Sequence, residues 1–397
     1  MADNGSSERV PTVVIGAGQA GLAVGHHLSR LGQPAVILDA GDRVGDSWRA
    51  RWDSLRLFSP ARYDGLPGWT FPAPGWSYPT RDQVGDYLEA YADRFDLVVR
   101  TGVRVNRVTG NGTGYLVTAG ERTFEAENVV VATGTCQRPT IPDFAPELDE
   151  RIVQLHSSEY RNAGQLRPGG VLVVGAGNSG AEIAMEAARD HRVVLAGRDN
   201  GQVPFRVDGR PARGILPVLW LLANRVLTVR TPLGRKLRPH VQAHGGPLVR
   251  TRLADLVAAG VERHLGRVVG VRDGGPLLDD GRVLDVPNVV WCTGFHQEFG
   301  WIDLPVFDDR GWPRQIRGVV PGAPGLYFVG LPFLYGFGSM LVGGVGRDAA
   351  HIARHLARHR GGGRDRRDGH VGADQRAHHR VGQDASAADA KTRSRPW

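Results

Sequence analysis

Two stretches of the chain repeat the same change of hydrophobic period. Thr12 to Ile15 is a short β-branched run that enters Gly16-Ala-Gly-Gln-Ala-Gly21, and from Leu22 to Leu31 the apolar positions fall at helical spacing. Val171 to Val174 enters Gly175-Ala-Gly-Asn-Ser-Gly180 in the same way, 159 residues later, and helical spacing continues through Ala188. A second pair follows at nearly the same offset: Asn128-Val-Val-Val-Ala-Thr-Gly134 is echoed 160 residues on by Asn288-Val-Val-Trp-Cys-Thr-Gly294. The pattern predicts two similar units, each with a strand, a tight turn and a helix, nested in one chain. Arg347 to Arg360 reads as a closing amphipathic helix. Ile215 to Leu227 is apolar, but with Asn224 and Arg225 inside it and 13 residues in all it is too short to cross a bilayer. Three readings stand for it: a helical lid over a lipophilic channel, an interfacial contact, or a buried core helix.

Length and composition fit this picture. With 397 residues, 41% hydrophobic and 23% charged, the chain has room for two domains with ordinary cores. Its 55 glycines show no three-residue period, which excludes collagen and points to tight turns. Cys136 and Cys292 are far apart, so there is no Cys-x-x-Cys pair and no metal cluster; a dithiol reductase is disfavoured and no metal site is expected. The net charge of +8 is carried almost wholly by arginine, lysine standing only at 236 and 391. That charge is scattered, with a cluster in the aliphatic-poor segment 361–397, expected to be a disordered tail, so no nucleic-acid partner is expected. A polar N-terminus without a secretory layout makes a cytoplasmic location the expectation, and no apolar run is long enough for a transmembrane segment.

The glycine turns carry the chemistry. When such a triplet follows a strand and opens a helix, the first glycine makes the turn, the second lets backbone approach a pyrophosphate, and the third allows helix and strand to pack closely. The pyrophosphate then meets free N–H groups at a helix N-terminus. The two units differ at an equivalent position. Asp39 lies 23 residues after Gly16, where a carboxylate accepts hydrogen bonds from a free ribose, and Arg198 lies 23 residues after Gly175, where a guanidinium suits a 2′-phosphate. The first unit therefore reads as an FAD (or NAD) site and the second as an NADPH site, with Asp199 leaving NADH open. Thr293 and Gly294, like Thr133 and Gly134, end a buried strand whose glycine lets the chain pass close to a cofactor or to a neighbouring strand.

Over roughly residues 10 to 360 these motifs resemble the class B flavin-dependent monooxygenases, in the branch of the flavin-containing monooxygenases, the plant YUCCA-like enzymes and the bacterial CzcO-like oxidoreductases. The resemblance rests on Gly16 to Leu22, Gly45-Asp-Ser-Trp48, Arg51-Trp-Asp-Ser-Leu-Arg-Leu57 with Pro60, Phe71-Pro, Tyr78-Pro-Thr80, Gly175 to Glu182, Cys292-Thr-Gly-Phe295 and Gly325 to Gly330. It implies an α/β fold of two Rossmann-like, glutathione-reductase-like dinucleotide-binding domains: an FAD domain from 1–160 and 296–360, with an NADPH domain, 161–295, inserted in it. It places Gly16, Gly18, Gly21, Asp39 and Trp48 around FAD, and Gly175, Gly177, Asn178, Ser179 and Arg198 around NADPH.

The implied activity is NADPH-dependent monooxygenation of a small organic substrate at nitrogen, sulfur, or a carbonyl or other carbon centre, by dioxygen carried as a flavin hydroperoxide. An NADPH-consuming flavoprotein reductase or oxidase without oxygen transfer, and an NADP(H)-sensing regulatory flavoprotein, are the alternatives. A homodimer is an open assembly, and no catalytic acid or base is assigned. The family fingerprint around 150–160 is half kept: His156 and Tyr160 are present, while Glu150 and Ile152 replace its Phe and Gly. Tyr160 in place of Trp disfavours a Baeyer-Villiger enzyme, and Leu57 to Pro60 lacks the asparagine of many N-oxidising members. His156 is read as a structural residue rather than a pH-sensitive hinge group. The aromatics Trp48, Trp52, Phe58, Trp69, Phe71, Trp76 and Tyr78 are read as walls of a dry cofactor site, the alternative being a satellite core.

Overall fold

The computed structural model describes residues 7–243 and 245–367. The first glycine turn joins β1 (Ser7–Ile15) to α1 (Gln19–Arg30), which returns the chain to β2 (Val36–Leu38), parallel to β1. After α2 (Asp46–Arg49) and a long loop comes α3 (Arg81–Arg94). Its start is fixed reciprocally: the Gln83 amide donates to the Thr80 hydroxyl at 3.2 Å while the Thr80 amide donates to the Gln83 side chain at 2.9 Å. β3 (Val99–Arg100) joins β2, and β4 (Arg107–Gly110), β5 (Tyr115–Ala119) and β6 (Arg122–Val131) make an antiparallel meander whose last strand runs parallel to β1. The chain leaves by β7 (Arg138–Pro139) and starts a second sheet with β8 (Val153–His156) and β9 (Gly170–Val174), from which α4 (Asn178–Ala187) leads to β10 (Arg192–Ala196). There follow α5 (Ala212–Arg225), α6 (Pro232–Ala243), α7 (Leu253–Ala258), β11 (Glu262–His264), the hairpin β12 (Val268–Arg272) and β13 (Gly275–Leu278), and β14 (Asn288–Trp291). β15 (Phe295–His296) pairs with β7 on the way back, and β16 (Ile302–Asp303), β17 (Leu326–Phe328) and α8 (Gly346–Arg367) complete the first layer.

The internal repeat seen in the sequence is a repeat of topology. The first sheet has the order β16-β4-β5-β6-β1-β2-β3, with β17 also beside β6; the second is β11-β10-β9-β14-β8, parallel throughout. The parallel run β3-β2-β1-β6-β17 matches β11-β10-β9-β14-β8 strand for strand. Strand alternation divides each sheet between two apolar layers. Val14, Ile37 and Val130 face α1, α3 and α8, while Val13, Ile15, Val129 and Val131 face the opposite layer with Phe299 and Phe328. In the second sheet Val171, Val173 and Leu195 pack on α4, and Leu172, Val174 and Trp291 face the hairpin side. A one-residue slip would turn each set outward, at about 1.5–3 kcal/mol per large apolar side chain, so these registers are firmly held.

Two expectations change. The strand Val153–His156 pairs within the second sheet, which therefore takes in residues expected to belong with the first, because β8 aligns on β14 with Trp291 opposite His156. The closing helix continues past 360 to Arg367, and the rest of the expected tail, 368–397, lies outside the described residues. Residues through Ala357 form one compact unit, and the division at Arg358 falls within α8.

Candidate functional site

The two glycine turns are built alike, atom by atom. The Gly16 amide donates to the Leu38 carbonyl at 2.7 Å, and the Gly175 amide donates to the Ala196 carbonyl at 2.7 Å. Gly16 has φ +107° and Gly175 φ +108°, a region L side chains rarely occupy. A Cβ on Gly16 would lie 2.6 Å from the Ala132 carbonyl oxygen, and one on Gly175 would lie 2.2 Å from that of Cys292. The third glycines are as confined: a Cβ on Gly21 or Gly180 would stand 1.8 Å from the carbonyl oxygen of Gly16 or Gly175, respectively. The middle glycines, Gly18 and Gly177, have nothing within 4 Å of the Cβ position. Each turn is thus closed on two sides by protein and open on the third.

Beside that open side, α1 and α4 begin. Their first intrahelical bonds are Leu22 N–H to the Gly18 carbonyl at 3.0 Å and Ala181 N–H to the Gly177 carbonyl at 2.9 Å, so the amides before them have no acceptor within the helix. Such a helix end, with its dipole, favours an anion.

The residues that follow the second strand of each unit differ. Asp39 is tied to its turn: Oδ2 accepts from the Ala17 amide at 2.6 Å and Oδ1 from the Gly41 amide at 2.8 Å, leaving lone pairs on both oxygens. Arg198 is exposed and makes no hydrogen bond or ion pair among the described residues. Asp199 beside it accepts from the Gly201 amide at 2.8 Å. Trp48 reaches the first turn through its indole N–H, 3.4 Å from Gln19 Oε1, and packs against the cores of both sheets. Asn178 is committed locally, its amide nitrogen donating to the Pro247 carbonyl at 3.0 Å and its oxygen accepting from the Val249 amide at 2.9 Å. It staples the loop 247–249 over the second turn, leaving backbone amides as the free donors there. Ser179 stands beside it in the first turn of α4.

Thr293 and Gly294 follow the contact between Gly175 and Cys292 and lead into the ribbon of β7 and β15. The Thr293 hydroxyl donates to the Thr140 carbonyl, the Thr140 amide donates to the Gly294 carbonyl at 2.9 Å, and Gln137 bridges Thr133 Oγ1 at 2.8 Å and Gln297 Oε1 at 3.1 Å. His156 is buried beneath this ribbon. Its Nε2 donates to the Gly294 carbonyl at 3.0 Å, and Nδ1 accepts from the Ser158 amide at 3.2 Å, so both ring nitrogens are satisfied in the neutral form and burial lowers its pKa. The structural reading of His156 stands on these bonds. Burial pushes the Cys292 thiol up to about 12, so it stays protonated.

Two groupings differ from expectation. Trp69 and Phe71 pack on Tyr87 in the main core, with ring centroids 5.0 and 4.7 Å from it, and Trp52 lies in the core of the second sheet. Trp69 and Phe71 join the main core because α3 presents Tyr87 and Tyr91 to the loop above it, and Trp52 joins the core of the second sheet. The apolar run from Ile215 is not a buried core helix: within α5 only Ala212 is buried.

Sequence reasoning missed two buried carboxyls. Asp64 is 1% exposed; Oδ1 accepts from the Ser59 hydroxyl at 2.5 Å, Oδ2 has no hydrogen-bond partner among the described residues, and desolvation pushes the group up to about 7. It lies against Gly343, where a Cβ would come 3.4 Å from the Asp64 Cα and 1.6 Å from the Tyr63 carbonyl oxygen. Asp348, in the first turn of α8, is pushed up to about 6 by burial. Neither sits in a recognisable motif; the available signal was the dense Gly-Gly-Val-Gly run at 343–346, which marks close backbone packing. A cavity of about 950 Å³ runs along α4 and α7, lined among others by Arg56, Glu182, Glu186 and Arg250. Tyr160 is fully buried and donates from its hydroxyl to Glu186 at 3.0 Å.

Comparison with known proteins gives a consistent result. Residues 13–212 match the family model described as pyridine nucleotide-disulphide oxidoreductase. An oxidoreductase of Geobacillus kaustophilus described as CzcO-like is 37% identical over 88% of this chain and 99% of its own length. The indole-3-pyruvate monooxygenase YUCCA1 of Oryza sativa subsp. japonica is 36% identical over 87% of this chain and 90% of its own. Among solved structures, the flavin-containing monooxygenase from Stenotrophomonas maltophilia is 29% identical with a TM-score of 0.69, over 89% of this chain and 99% of that one.

Proposed function

Since the chain belongs to the class B flavin-dependent monooxygenase superfamily, we propose that its two glycine turns hold FAD and NADPH and that it inserts one atom of dioxygen into a small organic substrate. The pair of turns with open middle glycines, one beside a carboxylate and the other beside a guanidinium unpaired among the described residues, is the observation that carries this reading. Gly18 leaves room for the FAD pyrophosphate, and Asp39 accepts from its ribose hydroxyls while holding the turn through Ala17. Trp48, anchored to Gln19, closes the site between the two cores. Gly177 and the first amides of α4 receive the NADPH pyrophosphate, and Arg198 meets the 2′-phosphate, which NADH lacks.

Flavin supplies the oxygen chemistry and the nicotinamide the reducing equivalents. The protein's part is to bind, orient and keep water out. Its cysteines support no dithiol relay: Cys136 and Cys292 are free, and the latter is held protonated. The rice relative's substrate makes an aromatic 2-oxo acid of the indole-3-pyruvate type the first class to test.

The test is turnover with NADPH under isotopically labelled dioxygen. Label in the organic product, with FAD released on denaturing the protein, is the expected result. Label recovered only in peroxide or water would make the protein a reductase or oxidase, and negligible turnover with a stable reduced flavin would make it a sensor.

A further inference from the structure

Helix α5 carries its apolar residues on the outside. Ile215, Val218, Leu219, Leu222 and Val226 recur at intervals of three and four and form one face, and all are exposed, Val218 to 56%. Leu221 at 55% and, on α6, Leu233 at 56% widen the patch. The opposite side of α5 fastens it to the protein: Trp220 stacks on Tyr63 with centroids 4.9 Å apart, and the Asn224 carbonyl accepts from Arg347. Both α5 and α6 pack on the turn Phe337–Met340. The helix is therefore held in place with its apolar face turned away from the fold. An apolar patch of this extent on a folded domain marks a contact with something else.

Charge identifies what covers it. From Gly209 to Ala254 the chain has no Asp or Glu but eight arginines and one lysine, and Arg225 on α5 and Arg235 and Lys236 on α6 are exposed. A second copy would bring this basic rim against its own image across a two-fold axis. An anionic lipid surface instead offers the opposite charge at the headgroups and apolar chains just beneath. No described helix is long and apolar enough to span a membrane, and α5 has 14 residues, so the geometry is that of a helix lying flat. We propose that α5 and the adjoining α6 dock the protein on an anionic phospholipid surface, with Ile215, Val218, Leu219 and Leu222 at the acyl boundary and the arginines against the headgroups. Trp220, on the inner side of α5, lines a cavity of about 480 Å³ with Tyr63 and Trp69, so docking sets this cavity next to lipid.

The test is co-sedimentation of the full-length flavoprotein with vesicles of phosphatidylglycerol and of phosphatidylcholine. Partitioning onto phosphatidylglycerol is expected to be at least about tenfold stronger, since each basic residue near such a surface adds about 1 kcal/mol. The double variant Val218→Glu/Leu222→Glu is expected to lose at least about tenfold of that partitioning with its flavin content unchanged. A second variant, Arg225→Glu/Arg235→Glu, is expected to erase the preference for phosphatidylglycerol. Equal partitioning onto both vesicles, or a Glu double variant that sediments like the wild type, overturns the proposal. So does a lipid-free dimer that Val218→Glu/Leu222→Glu converts to monomer, which would assign the face to a second copy.

Discussion

The Asp39 carboxylate accepts a hydrogen bond of 2.6 Å from the Ala17 amide, so the end of the second strand is tied to the first glycine turn. The second turn has no such tie: the equivalent residue is Arg198, exposed and without a partner among the described residues. In the proposed reading this guanidinium would meet the 2′-phosphate of NADPH. Replacing Arg198 with Ala is expected to raise KM for NADPH by about 10- to 100-fold, the value of a charge-assisted contact of about 1.5–3 kcal/mol, and to leave KM for NADH nearly unchanged. Steady-state kinetics with both nucleotides checks this, and a parallel loss for NADH would remove Arg198 from the 2′-phosphate.

The middle glycines separate binding from folding. Because nothing lies within 4 Å of their Cβ positions, Gly18→Ala and Gly177→Ala are expected to fold with stability within about 0.5 kcal/mol of the wild type. Gly18→Ala is expected to lose FAD on purification. Gly177→Ala is expected to keep FAD but to weaken NADPH about tenfold or more, because one lost pyrophosphate contact to backbone amides is worth about 1.4 kcal/mol. Flavin content and nucleotide titration distinguish the two. By contrast, Gly21→Ala, whose Cβ would fall 1.8 Å from the Gly16 carbonyl oxygen, is expected to fail at folding.

Much of this was legible in the sequence because close backbone packing demands glycine and so writes itself in residue identity. The nearly equal spacing from Gly16 to Gly134 and from Gly175 to Gly294 corresponds to close approaches of the backbone, Gly16 on Ala132 and Gly175 on Cys292, just before each Thr-Gly. Periodicity likewise located α1, α4 and α8. What it could not supply was partners. Trp69 and Phe71 read in the sequence as a cofactor wall, whereas α3 places Tyr87 against them in the core. Asn178 matched a nucleotide motif, yet its side chain is engaged by Pro247 and Val249, some 70 residues away in the chain. Asp64 became notable only through its burial, which no local pattern encodes.

Asp64 gives stability a definite dependence on pH. Its carboxyl is pushed up to about 7 in the folded protein from an ordinary value of 3.8, so between these limits the unfolded chain gives up its proton first and stability falls as pH rises. Asp64→Asn removes this slope. Relative to the wild type the variant is expected to gain stability from pH 4 to pH 7, by up to about 4 kcal/mol at 1.36 kcal/mol per pH unit. His26 acts oppositely: burial lowers it to about 4, so its contribution grows with pH between about 4 and 6.5, and His26→Gln is expected to flatten that rise. Thermal denaturation of the three proteins across this range checks both signs, and a difference between Asp64→Asn and wild type that does not change with pH would contradict the first.

The most direct test of oxygen transfer is rapid mixing of the NADPH-reduced protein with oxygenated buffer while flavin absorbance is followed. A transient spectrum distinct from both the reduced and the oxidised flavin, decaying faster when an oxidisable substrate is added, is the result expected of a monooxygenase. Direct return to the oxidised spectrum, with one hydrogen peroxide released per NADPH, would contradict it.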